Sequence, residues 1–152
     1  IGETKSKFRA VLKGDNWSEL YRAIGLAAHG EGIGSFVYLR RVFERLIQAR
    51  FNESKDQEHW SSESFNKLRV DEKVRHLKDH LPSSLVENSR LYSIFSMGIH
   101  QLTNERCLQF FPVGKGSIIE ILEDDLRKKA ELDRRKMLSD AIAAFNPEID
   151  RA

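Results

Sequence analysis

The stretch "GIGSFVYLRRVFERLIQARF", residues 32–51, decides the fold. At about 100° per residue, Ile33, Phe36, Val37, Phe43, Leu46, Ile47 and Phe51 fall on one broad face. That period is helical, and the face is wide enough to be buried against more than one neighbour. On this phase Arg40 and Glu44 lie inside or at the edge of the apolar arc, and Arg41 and Arg45 lie outside it. Arg40 and Glu44 are one turn apart, so they are expected to pair. A charge turned toward a bundle must be matched, which predicts a substantially buried pair.

Working outward, the same period recurs and no alternating run marks a strand. "DNWSELYRAIGLAAHG" offers Asp15 and Asn16 as helix caps. Trp17, Leu20, Tyr21, Ile24 and Ala28 follow at helical spacing, with a stop at Gly30. Residues 1–13 read as a short helix or a loosely packed lead-in. "NESKDQEHWSSES" reads as a polar loop anchored by Trp60. Short helices are predicted over about 62–68, over "DEKVRHLKDHL" up to Pro82, and at 83–88. The next helix starts near Ser89 and carries His100. Thr103 caps the last long segment, which Pro112, Gly114 and Gly116 are expected to kink or interrupt. The fold class is therefore all-α, an up-and-down helical bundle.

The 152 residues suit one domain over 1–152, with a core at about 15–125 and an extended charged helix at 126–146. In "EDDLRKKAELDRRK" opposite charges recur one turn apart, and the apolar stripe is thin: Leu122, Leu126 and Ala130. This reads as a solvated face or as a helix projecting to another chain. The stripe thickens at Met137, Leu138, Ala141, Ile142 and Phe145, and such residues need cover. A homodimer is expected, using this helix or the serines described below. The start at Ile1 suggests a piece of a longer protein whose other domains are possible partners.

Composition is that of an ordinary soluble domain: 40% hydrophobic and 32% charged. No apolar run is long enough to span a bilayer, so no membrane partner is expected. A net charge of +2 does not by itself argue for nucleic acid. The single cysteine, Cys107, cannot form an internal disulfide, which points to a reducing, cytoplasmic setting. It reads as a small buried hydrophobe. His76 and His80 are one turn apart, but no third ligand completes a site, so no metal or cofactor is expected. "HGEGIGSF" lacks the preceding strand and the lysine of a phosphate loop; a tight turn capped by Gly30 explains it.

"SRLYSIFSMGIH", residues 89–100, carries the chemistry. Leu91, Tyr92, Ile94, Phe95, Ile99 and Leu102 cluster on one side with Gly98. Ser89, Ser93, Ser96 and His100 line the other. His100 therefore faces a polar groove, either bonding a hydroxyl at a helix seam or meeting a ligand.

Taken together, "SFVYLRRVFERLI" and "IFSMGIHQLTNERC" resemble the HEPN superfamily, over roughly residues 20–125. In particular they are similar to a group of bacterial proteins that carry this helical domain at the C-terminus. The resemblance implies an up-and-down bundle, commonly dimeric. Many members are metal-independent ribonucleases of toxin–antitoxin and anti-phage systems; others bind nucleotides, RNA or protein without cutting. The ribonuclease members place an arginine a few residues before the histidine. The matching positions here hold Ser93, Ile94 and Phe95, which weighs against cleavage. The expected function is a binding or dimerisation module. The alternatives are a ribonuclease using His100 as acid/base with Arg40 or Arg90 stabilising charge, and a purely structural dimerisation domain. Binding residues are expected among Arg40, Glu44, Arg90, Ser93 and Ser96.

Overall fold

The computed structural model describes the backbone of residues 2–151 and the side chains of 5–88, 90–98 and 100–145. All regular structure there is helical: α1 (Gly2–Lys7), α2 (Gly14–Ala28), α3 (Gly32–Glu58), α4 (Ser62–Asn66), α5 (Val70–His76), α6 (Ser83–Val86), α7 (Ser89–Phe95), a 3₁₀ turn (Ile99–Gln101) and α8 (Asn104–Arg151). The protein is all-α. No helix among the described residues is long and apolar enough to cross a membrane.

α3 is the central helix, packed by α2 on one side and by the first half of α8 on another. Its buried residues include Phe36, Leu39, Val42, Phe43, Leu46, Ile47 and Phe51. The buried arc is thus turned from the expected one. Ile33 is exposed and Val37 half-buried, while Leu39 and Val42 form the other edge. The helix also runs through "NESKDQE" to Glu58, where a polar loop was expected. Ser54 is buried on the same face, which holds the extra turns down. His59 then ends the helix at φ 59°, and Trp60 N–H closes back on the Lys55 carbonyl at 2.9 Å. Trp60 is the anchor the sequence suggested, stacked on Phe51 with ring centroids 5.9 Å apart.

The turn between α2 and α3 is held from a distance. Gly30 sits at φ +81°, with Glu31 N–H bonded to the Leu26 carbonyl and Gly30 N–H to that of Ala27. Asn104 then caps both helices: Oδ1 accepts from Gly32 N–H (2.6 Å) and Ile33 N–H, while Nδ2 donates to the Gly30 carbonyl (2.8 Å). A methyl at Gly32 would lie 2.2 Å from the Asn104 carbonyl oxygen, so only glycine allows this approach. Asp15 and Asn16 do not cap α2; Lys13 precedes it without a side-chain cap. Asn16 is instead used by Arg45, which donates to its Oδ1 at 3.3 Å. Leu20 and Ala23 carry the buried face of α2, while Tyr21 and Ala28 are exposed. The lead-in forms the short helix α1, one of the two expected forms, and Phe8 and Leu12 after it are buried in the core.

α8 runs unbroken, so Pro112 and the glycines do not interrupt it. The Thr103 hydroxyl caps it, accepting from Arg106 N–H at 3.1 Å. Phe110, Ile118, Ile121 and Leu122 are buried around the proline, and that packing carries the helix through. Gly114 is a close-packing site: a methyl there would meet Phe110, Leu39 and Phe95 side chains at 3.0–3.4 Å. Beyond Leu126 nearly every described side chain is exposed, as the solvated-face reading expected.

Candidate functional site

The helix that was to carry His100 ends early. α7 stops at Phe95, and Met97 and Gly98 lead into the 3₁₀ turn. Gly98 N–H donates to Gln101 Oε1 (2.9 Å) and its carbonyl accepts from Gln101 N–H (2.9 Å), which closes the turn. His100 is exposed on that turn, its ring folded over Gly98 so closely that a methyl there would lie 2.7 Å from Cε1. It does not end a continuous line of serines. The side chains of Ser89 and Ile99 lie outside the described residues. Ser93 is exposed and already engaged. Ser96 is half-buried at the end of α7, and both its Oγ and the Tyr92 Oη are buried with no hydrogen-bond partner among the described residues. Burial pushes the Tyr92 phenol well above its ordinary pKa.

Arg40 and Glu44 do pair, Nε to Oε1 at 3.2 Å, but their side chains are 34% and 40% exposed. The expected substantial burial is overturned, because the buried arc of α3 faces Leu39 and Val42. Arg40 Nη1 also donates to the Met97 carbonyl at 3.2 Å. It therefore ties α3 to the chain just before the His100 turn. Two of its five N–H donors are engaged there.

The neighbouring face of α3 is cationic. The guanidinium carbons of Arg22 and Arg41 lie 5.5 and 5.6 Å from the centroid of Tyr38, and Arg22 Nη1 donates to its hydroxyl at 3.1 Å. Arg41 and Arg45 both grip Glu19, at 2.8 and 2.6 Å. Arg41, Glu44, Arg45, Gln48 and Lys73 enclose a shallow hollow of about 270 Å³. The sequence reading passed over this group because its members come from α2, α3 and α5.

Arg90 belongs elsewhere. It lines a groove between α7 and α8 with Ser84, Asn88, Leu91, Gly116 and Glu120, about 550 Å³ in volume. A second hollow of about 350 Å³ continues it past Met97, Arg106 and Phe110. Ile94 and Val113 line both. The groove is apolar with a charged rim. Cys107 is buried beneath it as expected, and burial raises its thiol pKa.

One buried charge was missed altogether. Arg50 is 2% exposed and donates to Asp124 Oδ2 (2.7 Å) and the His80 carbonyl (2.7 Å), with Asp125 Oδ1 at 2.5 Å. Burial raises the Asp124 carboxyl, but Arg50 and Lys128 outweigh it and hold its pKa below the ordinary value. At Asp125 burial wins over the shared guanidinium and the pKa goes up. His80 is half-buried, 3.2 Å from Ser54 Oγ and 3.3 Å from Glu58 Oε1. His76 packs against Trp60 at 4.4 Å. No cluster of three His, Cys, Asp or Glu that could hold a metal occurs among the described residues. The arrangement joins α3, α8 and the segment after α5, and its chemistry is structural.

Family models, curated proteins and solved structures give no match to this chain.

Proposed function

We propose that this chain is a HEPN-like helical binding and dimerisation module that holds RNA or a nucleotide on its cationic α3 face without cutting it. The observation that carries this reading is the pair of guanidinium groups, Arg22 and Arg41, 5.5 and 5.6 Å from the Tyr38 ring centroid, with Arg41 also lining the hollow of Arg45 and Lys73. Such a cluster suits a single strand, whose phosphates need charge and whose bases stack on guanidinium planes as well as on aromatic rings. A cytoplasmic setting fits the lone buried thiol. The absence of an arginine at 93–95 and the commitment of Arg40 to Glu44 and Met97 favour holding over cleaving. The ribonuclease reading rests on the exposure of His100.

The test is fluorescence anisotropy with a short labelled single-stranded RNA, titrated at several salt concentrations. Binding should weaken with salt, and the double variant Arg22→Ala/Lys73→Ala should lose about tenfold in affinity and show a shallower salt slope. Lys73 lies over the buried Phe65 ring at 5.3 Å, so near-UV circular dichroism must show that the double variant keeps the bundle. No binding by the wild type at low salt overturns the reading. Metal-free RNA cleavage that disappears in His100→Ala replaces it with the ribonuclease.

A further inference from the structure

One face of α8 stays clear of the bundle along most of its length. At about 100° per residue, Val113, Gly116 and Glu120 share one side of the helix with Arg127 and Glu131, and with Leu138, Ile142 and Phe145 at the far end. All are exposed or half-exposed. The two ends of this face are apolar. Val113 is 56% exposed on the floor of the α7–α8 groove, and Leu138, Ile142 and Phe145 are 55–63% exposed at the tip. The middle is charged.

We infer that this face pairs with the same face of a second copy, with the two α8 helices antiparallel about a two-fold axis. The inference rests on the dimer in the functional reading above and supplies its surface. The charge pattern selects the second copy as occupant. When the helices run antiparallel with Arg127 against Glu131 of the second copy, Glu123 meets Arg134 and Asp124 meets Arg135 on the two flanks. Each contact occurs twice by symmetry. The same register sets Phe145 against Val113, Ile142 against Gly116, and Leu138 against Glu120, whose carboxylate is turned to the Ser84 hydroxyl. There the open space above the glycine and the groove of about 550 Å³ leave room for a large side chain. A parallel pairing would set Arg127 on Arg127 and leave the groove uncovered.

In the single chain Arg127 bonds Asp124 and Arg135 bonds Glu131 along the helix. The Arg135–Glu131 pair is exposed and can share its partners with the second copy at little cost, and Arg127, itself exposed, can turn to the second copy while Asp124 keeps Arg50. From Val113 to Phe145 the helix rises about 50 Å, so a strip about 10 Å wide covers on the order of 500 Å² per copy. The α7 walls of the groove add to that, toward the roughly 800 Å² per partner of a stable interface.

Sedimentation equilibrium on the full chain, from low to high micromolar, reads the assembly. The wild type should dimerise. Arg127→Glu and Glu131→Arg should each weaken it about tenfold, because two matched contacts become like-charge contacts. Mixing the two variants should restore a dimer, seen as a heterodimer by native mass spectrometry, since each reversed charge then meets its opposite. Leu138→Asp/Ile142→Asp should give a monomer with the bundle's near-UV circular dichroism intact, and Val113→Asp should weaken the dimer from the other end. A wild-type dimer that none of these variants shifts overturns the interface but leaves the dimer standing. Single variants that dissociate yet do not recombine overturn the antiparallel register. A wild-type monomer overturns both the interface and the dimer.

Discussion

Arg40 and Arg50 lie on the same helix, within three turns of each other, and the molecule treats them in opposite ways. Arg40 is a third exposed, with one carboxylate and one carbonyl as partners. Arg50 is almost wholly buried, with two carboxylates and a carbonyl. The difference follows from what each half of α3 packs against. The first half meets the end of α7, where the chain is turning and leaves an edge open to solvent. The second half is enclosed by α8 and by the segment around His80, so a cation there must bring its own anions. Burial, more than the number of partners, decides which arginine holds the fold.

The largest expected effect breaks the enclosed end. Arg50→Ala leaves Asp124 and Asp125 without their buried cation and should cost about 3–5 kcal/mol in chemical denaturation. Arg40→Ala should cost about 1 kcal/mol or less, because water reaches Glu44 once the guanidinium is gone. Equal losses would mean that the two ends are not distinguished by burial.

The wheel held more of this than its first phasing shows. Counting Val37 and Ile33 as core turns the arc toward Arg40 and Glu44. Leu39 and Val42 turn it back, and Arg50 then falls between Phe43, Ile47 and Ser54, near the middle of the buried face. The helical class, the Gly30 turn, the Thr103 cap, the Trp60 anchor and the buried Cys107 were legible because each is fixed by local chemistry or by period. The extent of α3 and the continuity of α8 were not, since long-range packing overrode a polar run in one and a proline in the other. His100 was misplaced for a related reason: a wheel assumes that the helix continues, and α7 ends before it. The cationic face and the Asn104 cap join residues far apart in sequence, and no spacing rule finds them.

A change of pH sharpens the comparison at its enclosed end. Asp124 has a folded pKa below its unfolded value of about 3.9, so it contributes stability at neutral pH that is lost as pH falls through the folded value. Asp125 is shifted the other way, so its charge costs stability at neutral pH and protonation relieves that cost first on the way down. Asp124→Asn should therefore destabilise at pH 7 by about 1–2 kcal/mol more than Asp125→Asn does. The gap should close below the carboxylate range, measured by urea unfolding at a series of pH values. A reversed order at pH 7 would show that Arg50 is held mainly by Asp125.

The smallest effect belongs to the open end. Glu44→Ala removes one exposed ion pair and leaves Arg40 with the Met97 carbonyl and solvent, so the expected loss is about 0.5 kcal/mol. Arg45 provides the control. Its side chain is as exposed as that of Arg40, 34% in each case, but its partner differs: Glu19 is only 14% exposed and is shared with Arg41. Arg45→Ala leaves Glu19 largely enclosed with a single cation, and should cost more than Glu44→Ala, about 1 kcal/mol. The exposure of the carboxylate would then set the cost, as it does for Arg50 at the other end of the helix. A loss at Glu44 above that at Arg45 would mean that the contact from Arg40 to the main chain before His100 needs its carboxylate to hold, and the open end of α3 would have to be regarded as a second structural lock.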